Sequence, residues 1–119
     1  MKLVLAVVFA IAAAGVQAQD ETVYRPGDGV SLPEVVTQVG PQYTSEAMRQ
    51  MIEGDVVLDV VVKADGKVGD VSVKQSLDPI YGLDENAVTA MKQWEFKPGT
   101  KDGKPVHVRV EVRMKFTLR

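Results

Sequence analysis

The most regular pattern in the chain lies at its end, where apolar and polar residues alternate from Val106 to Arg119. Every second residue from Val106 to Leu118 is apolar, and the residues between them are polar or charged. Such alternation is typical of a β-strand that buries one face and exposes the other, and this stretch is about twice as long as an average strand. The sequence therefore predicts a long final strand with one dry and one wet face.

A second alternating region, DVVLDVVVKADGKVGDVSVKQS, predicts a β-hairpin. Its Asp65-Gly66 pair favours a two-residue turn, because Asp and Gly tolerate the positive φ that both central residues need. This turn places the apolar side chains of the two strands on one face, and a slip of one residue would mix the faces. The resulting register pairs Val62 with Gly69, Val60 with Val71 and Leu58 with Val73.

Two amphipathic helices are expected beside these strands. The first runs from about 45 to 53, begins at a cap on Thr44 or Ser45 and ends at Gly54. Its predicted apolar face consists of Ala47, Met48, Met51 and Ile52. The second helix carries an apolar stripe at helical spacing, with acidic residues in its first turn. This stripe consists of Leu83, Ala87, Ala90, Met91 and Trp94.

The order helix, strand, strand, helix, strand predicts an α+β fold, a small two-layer αββαβ domain. The apolar strand VVLDVVV suits the centre of the sheet. We expect a three-stranded antiparallel sheet in the order 2-1-3, with both helices on one face and the final strand at an edge. Residues 30–39 contain Pro33 and predict at most an edge strand or an extended arm. Val57 and Val61 face away from the helices, so either this arm covers them or they belong to a contact surface.

The first residues carry the features of a secretory signal peptide. Lys2 precedes a short apolar run that ends in the small-residue stretch Val16-Gln17-Ala18. We expect cleavage after Ala18 and a periplasmic product; the less favoured alternative is a membrane anchor formed by residues 3–18. Residues 19–29, rich in glycine and polar residues, predict a flexible leader, and residues 30–119 form the single domain.

Composition excludes several classes of function. The net charge of −2 argues against nucleic-acid binding, which favours a basic surface. With no cysteine and a single histidine, His107, the chain offers no nucleophile and base pair, so we expect no catalytic residue and no enzyme activity. No calcium-loop spacing is present, Met48 and Met51 are expected in the core rather than at copper, and no metal or cofactor is expected.

The remaining polar and aromatic residues have structural explanations. Asp55 and Asp59 share one face of the central strand, where Arg109, Arg113 or Lys115 of an antiparallel neighbour would form ion pairs with them. The aromatic residues are expected to anchor the helices on the sheet, with polar tips directed outward. These residues are Tyr43, Trp94 and Phe96.

Specific motifs give a family resemblance over about residues 30–119. They are Pro41-x-Tyr43, Glu53-Gly54, the Asp65-Gly66 turn, Trp94-x-Phe96-x-Pro98 and Gly103-x-Pro105-Val106. In this order they resemble a TonB C-terminal domain. The chain departs from the family at Gly40, where receptor-binding members often have a glutamine, and at Thr44, where the family has a second proline. Instead of a membrane helix and a long proline-rich spacer, a signal-like segment and a short leader precede the domain. We therefore do not expect it to relay force from the inner membrane by itself.

The resemblance implies a periplasmic binding module linked to energy-coupled transmembrane transport. In the family's energy transducers, a short extended peptide of an outer-membrane receptor adds as a strand beside the last strand of the domain. Carried over to this chain, the partner-binding residues lie on the wet face of the final strand. They are His107, Arg109, Glu111, Arg113 and Lys115. The alternatives are a charged edge that only prevents aggregation, and a homodimer or structural envelope protein that pairs through its edge strands.

Overall fold

A computed structural model describes residues 21–118, so the predicted signal peptide and its cleavage site lie outside the described residues. The chain forms two helices and eight strands within this range. The strands are β1 (Val23–Tyr24), β2 (Glu34–Thr37), β3 (Gly54–Val62), β4 (Val68–Gln75), β5 (Glu95–Lys97), β6 (Thr100–Lys101), β7 (Lys104–Pro105) and β8 (His107–Phe116). The helices are α1 (Ser45–Arg49) and α2 (Leu83–Met91).

The main sheet has four strands in the order β1-β8-β3-β4, so the predicted count of three is not confirmed, whereas the predicted order of the three strands is found as β4-β3-β8. β3 lies at the centre and pairs antiparallel with β4 on one side and with β8 on the other. The additional strand, β1, comes from the leader and pairs parallel to the start of β8. The final strand is therefore an edge over only part of its length.

The hairpin between β3 and β4 has the predicted register in part. Leu58 faces Val73 and Val60 faces Val71, but Val62 faces Val68 rather than Gly69. The loop contains three residues, because the Gly66 amide donates to the Lys63 carbonyl and Lys63 pairs with Lys67. Gly66 has a φ of 85°, whereas Asp65 does not take positive φ. This is a tight turn followed by a left-handed glycine, not the predicted two-residue turn.

Helix α1 is shorter than predicted, although Thr44 caps it through its side-chain oxygen, which accepts from the Ala47 amide. It ends where Met51 takes a φ of 56°, and the Ile52 amide donates to the Ala47 carbonyl. With a second bond from the Met51 amide to the Met48 carbonyl, this is a Schellman motif. Because the chain turns there, Met48 and Met51 are exposed by 44% and 76%. Their predicted place in the core is wrong.

The predicted stripe of α2 is confirmed, because all five of its residues are buried. They pack with the inner faces of β3 and β8, where Val56, Leu58, Val60, Met114 and Phe116 complete the core. The first turn of α2 is fixed by Asp78, a buried carboxylate that accepts from the amides of Ile80, Tyr81 and Leu83. Asp84 in turn accepts from the amides of Leu77 and Asp78.

The arm of residues 30–39 does not cover the open face of the sheet. Its strand β2 pairs antiparallel with β5 in a separate two-stranded sheet. Val57 and Val61 are nevertheless buried, with 3% and 6% of their surface exposed. Val61 borders a cavity of about 160 Å³ with Val23 and His107, so the leader shields part of this face.

Candidate functional site

The outer edge of β8 carries the candidate site. On its inner side, β8 pairs with β3 from Val108 to Phe116. On its outer side, the partners found among residues 21–118 are Val23 and Tyr24 of β1, which pair with His107 and Val108. Within residues 21–118, no strand covers the outer side of β8 from Val110 to Phe116. This part of β8 can therefore accept an added strand through its backbone.

The alternation predicted for the last strand determines what each face of this edge presents. Val108, Met114 and Phe116 are buried, and Val110 and Val112 are partly buried against the core. The residues between them project from the open face of the sheet. The predicted partner-binding residues therefore lie along one side of β8, and each has a distinct environment.

His107 is half-buried rather than an exposed strand residue. Its Nδ1 accepts a hydrogen bond of 2.9 Å from the Ala64 amide in the hairpin loop. Its backbone is the register partner of Val23 in β1. His107 therefore connects β8, the hairpin and the leader, and it is not free to contact a partner unless the leader moves.

Glu111 and Lys74 form an ion pair of 2.6 Å that reaches across β3 from β8 to β4. The hydrogen bond from Lys74, together with its charge, lowers the pKa of Glu111. The same hydrogen bond and the Glu111 charge raise the pKa of Lys74, to which Asp59 also contributes. Both side chains are about half exposed, so this pair contributes little to stability. Its effect is to turn the Glu111 carboxylate toward the middle of the sheet.

Arg113 makes a comparable contact, because its Nη1 lies 3.3 Å from Oδ2 of Asp55. This cross-strand ion pair was predicted and is confirmed. Asp59 has no such partner on β8 within the described residues; it lies opposite Glu111. Among residues 21–118, the ion pairs of β8 use only Glu111 and Arg113, which leaves Arg109 and Lys115 unpaired.

A groove lies beside α2, at the position where the chain departs from the family. It has a volume of about 320 Å³ and is lined by Val39, Gly40, Gln42, Asn86, Thr89, Ala90 and Gln93. A Cβ added at Gly40 would meet no atom within 4 Å, so the backbone there does not require glycine for lack of space. Its walls carry amide side chains, which favour hydrogen bonding over charge recognition.

The aromatic residues anchor the domain beneath these surfaces. The Tyr43 and Phe116 rings meet edge to face at 5.4 Å, and the Tyr43 hydroxyl donates to the Ile52 carbonyl. The Trp94 indole donates to the Val39 carbonyl at 2.8 Å. Trp94 and Phe96 are each 7% exposed, so these rings hold the helices and the arm in place and do not form a ligand platform.

The sequence did not reveal two features of the site, the strand β1 and the bridge from Glu111 to Lys74. Val23 and Tyr24 form too short a strand for periodicity to detect, but the following Arg25-Pro26-Gly27-Asp28 is a recognisable turn signal. The bridge joins strands that are not adjacent, so pairwise register alone does not predict it. Within residues 21–118, no group of three histidine, aspartate or glutamate side chains could hold a metal ion. That same range contains no helix long and apolar enough to cross a membrane.

Comparison with known proteins agrees with this architecture. Residues 39–118 match the family model described as the Gram-negative bacterial TonB protein C-terminal. The chain is 37% identical over 93 residues to Protein TonB of Vibrio cholerae, across 75% of this chain and 36% of that protein. It is 29% identical over 85 residues to Protein TonB of Escherichia coli, across 71% of this chain and 35% of that protein.

A solved structure is similar as well. The solution NMR structure of the Pseudomonas aeruginosa TonB CTD superposes with a TM-score of 0.55 and 27% identity, covering 80% of this chain and 95% of that one. The chain spans roughly a third of the length of the TonB proteins it matches. Since the family model covers more than half of the chain and the same fold is found in a solved TonB domain, the chain belongs to the TonB C-terminal domain family.

Proposed function

We propose that this chain is a non-enzymatic periplasmic binding module that recognises an extended peptide by strand addition to the outer edge of β8. The peptide would belong to an outer-membrane receptor, which links the module to energy-coupled transport. The observation that supports this most directly is the uncovered edge from Val110 to Phe116 in a TonB-type domain. Backbone hydrogen bonds along this edge would provide affinity, and side chains on the open face would provide selectivity.

The charges of β8 define the kind of peptide that fits. Glu111 and Arg113 are neutralised within the sheet, whereas Arg109 and Lys115 are not. These two cations lie on the same face and six residues apart, which is about 20 Å along a strand. A peptide with acidic residues at matching positions would gain charge-assisted contacts with both. We therefore expect a preference for acidic or neutral extended peptides over basic ones.

Site-specific photo-crosslinking tests the proposal. A photoreactive residue at Lys115 lies on the uncovered part of β8, and one at Lys92, an exposed position at the end of α2, is the matched control. In intact cells, we expect Lys115 and not Lys92 to yield an adduct with an outer-membrane receptor. Equal labelling from both positions, or no adduct from Lys115, would contradict strand addition at this edge.

Self-association is the second candidate, and strand β2 favours it. All four residues of β2 are exposed, including Val35 by 49% and Val36 by 67%. An exposed strand with two apolar side chains offers a pairing surface to a second copy. A molecular mass that doubles with concentration, and a crosslink from Val36 to another copy, would favour this function over receptor binding.

A further inference from the structure

The edge proposed for partner binding already holds one added strand. β1 pairs in parallel with β8, with Val23 opposite His107 and Tyr24 opposite Val108. The leader therefore uses the same backbone groups that an incoming peptide would need at the start of β8. A regulatory role for the leader rests on the function proposed above, because the leader can control access to that edge only if a partner binds there.

After Tyr24 the leader turns sharply away from β8. The Asp28 amide donates to the Arg25 carbonyl, and the Asp28 side chain accepts from the Arg25 amide. Pro26 and Gly27, with a φ of 96° at Gly27, fit the central positions of a type II turn. The leader therefore pairs with only the first two residues of β8.

The turn also limits how far a partner strand can extend. Arg25 and Pro26 border a cavity of about 200 Å³ together with Arg109 and Val110 of β8. A peptide that pairs with β8 and continues past Val110 toward His107 would meet Arg25 and Pro26. The leader thus restricts access to Arg109, one of the two cations proposed to select the partner.

Few contacts hold residues 21–29 against the rest of the domain. No residue between 21 and 29 belongs to the hydrophobic core, and Val23 is 39% exposed. Beyond the two paired residues, Lys101 supplies the attachment: its ammonium lies 5.4 Å from the centre of the Tyr24 ring and donates to the Asp28 carbonyl at 3.2 Å. The leader can therefore detach without opening the core, as expected of a segment at the low-stability end of a fold.

We propose that residues 21–29 form a reversible cover on the start of β8, which competes with the partner peptide for the edge. With the cover in place, a partner reaches only Val110–Phe116. With the cover released, the full strand from His107 to Phe116 and the Arg109 side chain become available. The apparent affinity for a peptide long enough to span both regions then depends on the fraction of molecules in which the cover is open.

Two opposite changes to β1 test this proposal. Val23→Pro places a proline, which cannot take part fully in a ladder, within the two-residue strand β1 and is expected to disrupt its pairing. Ile80→Ala, an exposed apolar position outside the leader and β8, is the control. Conversely, Val23→Cys with His107→Cys joins two register partners in a chain that has no other cysteine. Comparing the oxidised and reduced forms of that variant isolates the effect of locking the cover from the loss of His107.

The probe is a fluorescent ten-residue peptide of alternating valine and threonine, with glutamates six residues apart, measured by anisotropy on the mature chain. We expect Val23→Pro to bind it about tenfold more tightly than the unsubstituted chain, since a cover held by about two net backbone hydrogen bonds is removed. Ile80→Ala should leave the affinity unchanged. Oxidation of the cysteine variant should weaken binding about tenfold or more relative to its reduced form.

The outcomes separate the two proposals. If the peptide binds all variants equally and the oxidised form as well as the reduced one, strand addition stands and the cover is refuted. If the peptide binds none of them, and crosslinking at Lys115 also fails, the binding function itself is wrong and the cover falls with it. Thermal melts by circular dichroism should show that Val23→Pro keeps the fold, because Val23 is 39% exposed and lies outside the hydrophobic core cluster.

Discussion

The carboxylate of Asp78 is expected to be one of the most important polar groups for stability. It is 3% exposed and accepts from the amides of Ile80, Tyr81 and Leu83 at 2.8 to 3.2 Å. Gly82, the residue that precedes α2, offers no side-chain cap, so Asp78 replaces the usual capping residue. Replacing Asp78 by alanine would leave three amides without their acceptor.

The size of the effect depends on where those amides lie. An unsatisfied buried donor costs about 1–3 kcal/mol, but a donor that water can reach costs less. Ile80 is 76% exposed, so its amide can be rehydrated, whereas Leu83 is fully buried and its amide cannot. We therefore expect Asp78→Ala to lower the free energy of unfolding by about 3 kcal/mol, combining the loss at Leu83 with smaller losses at the other two amides.

Urea unfolding followed by the fluorescence of Trp94, the single tryptophan, measures this change. Glu85→Ala is the matched control, because Glu85 is an exposed acidic residue in the first turn of α2, which Asp78 caps. It should cost no more than about 0.5 kcal/mol. If the two variants differ by less than about 1 kcal/mol at equal m-values, Asp78 is not the cap and the reasoning is refuted.

Backbone geometry and charge give three more predictions. Gly66→Ala should destabilise by about 3 kcal/mol or more in the same assay, since Gly66 has a φ of 85° and an added Cβ would lie 2.2 Å from the Phe96 carbonyl oxygen. Met51→Gly should raise the melting temperature, with a gain of about 0.5–1 kcal/mol, because the exposed Met51 occupies the left-handed position of the Schellman motif. Burial alone would raise the pKa of Asp84, but hydrogen bonds from the amides of Asp78 and Leu77 and from the Ser76 hydroxyl lower it. Because this pKa is lower in the folded chain, the Asp84 carboxylate stabilises the fold fully above about pH 4, and this stabilisation is lost as the pH falls through the folded pKa. Asp84→Asn should therefore make the free energy of unfolding less dependent on pH in the acid range, as measured by urea unfolding at several pH values.

The elements that were predictable from the sequence are those with dense local patterns. The apolar stripe from Leu83 to Trp94 repeats at helical spacing through α2 and just beyond it, and the final strand alternates over its whole length. In both cases each residue's neighbours in the sequence carry the same information about which face is buried. The core of the domain follows from these two patterns and the apolar central strand.

The hairpin loop shows where local information ends. Asp65-Gly66 fits a two-residue turn equally well, but the Gly66 carbonyl accepts from the Phe96 amide, and the Phe96 backbone packs against Gly66. That contact joins residues far apart in the chain and favours the three-residue loop. Similarly, the sequence predicts that α1 ends at Gly54, but the chain already leaves the helix at Met51. The reason is that Ile52 turns inward and packs against the core.

The candidate site was predictable as a strand but not as an arrangement of charges. The alternation placed His107, Arg109, Glu111, Arg113 and Lys115 on one face, and the pair between Asp55 and Arg113 was expected. The capture of Glu111 by Lys74 depends on side chains long enough to bridge β3, and the addition of β1 depends on two residues of the leader. Neither contact leaves a periodic signal in the sequence.

Two of the charges on β8 are directed away from its outer edge. A protective charge blocks pairing when it lies beside the exposed backbone and would be buried by an incoming strand. Here the Glu111 and Arg113 side chains instead bond to Lys74 of β4 and Asp55 of β3, and so turn away from the outer edge of β8. What remains at the edge is positive at two positions, Arg109 and Lys115. Such an edge repels a second copy of itself placed side by side, yet it favours an acidic strand, which is the combination that a selective peptide-binding edge requires.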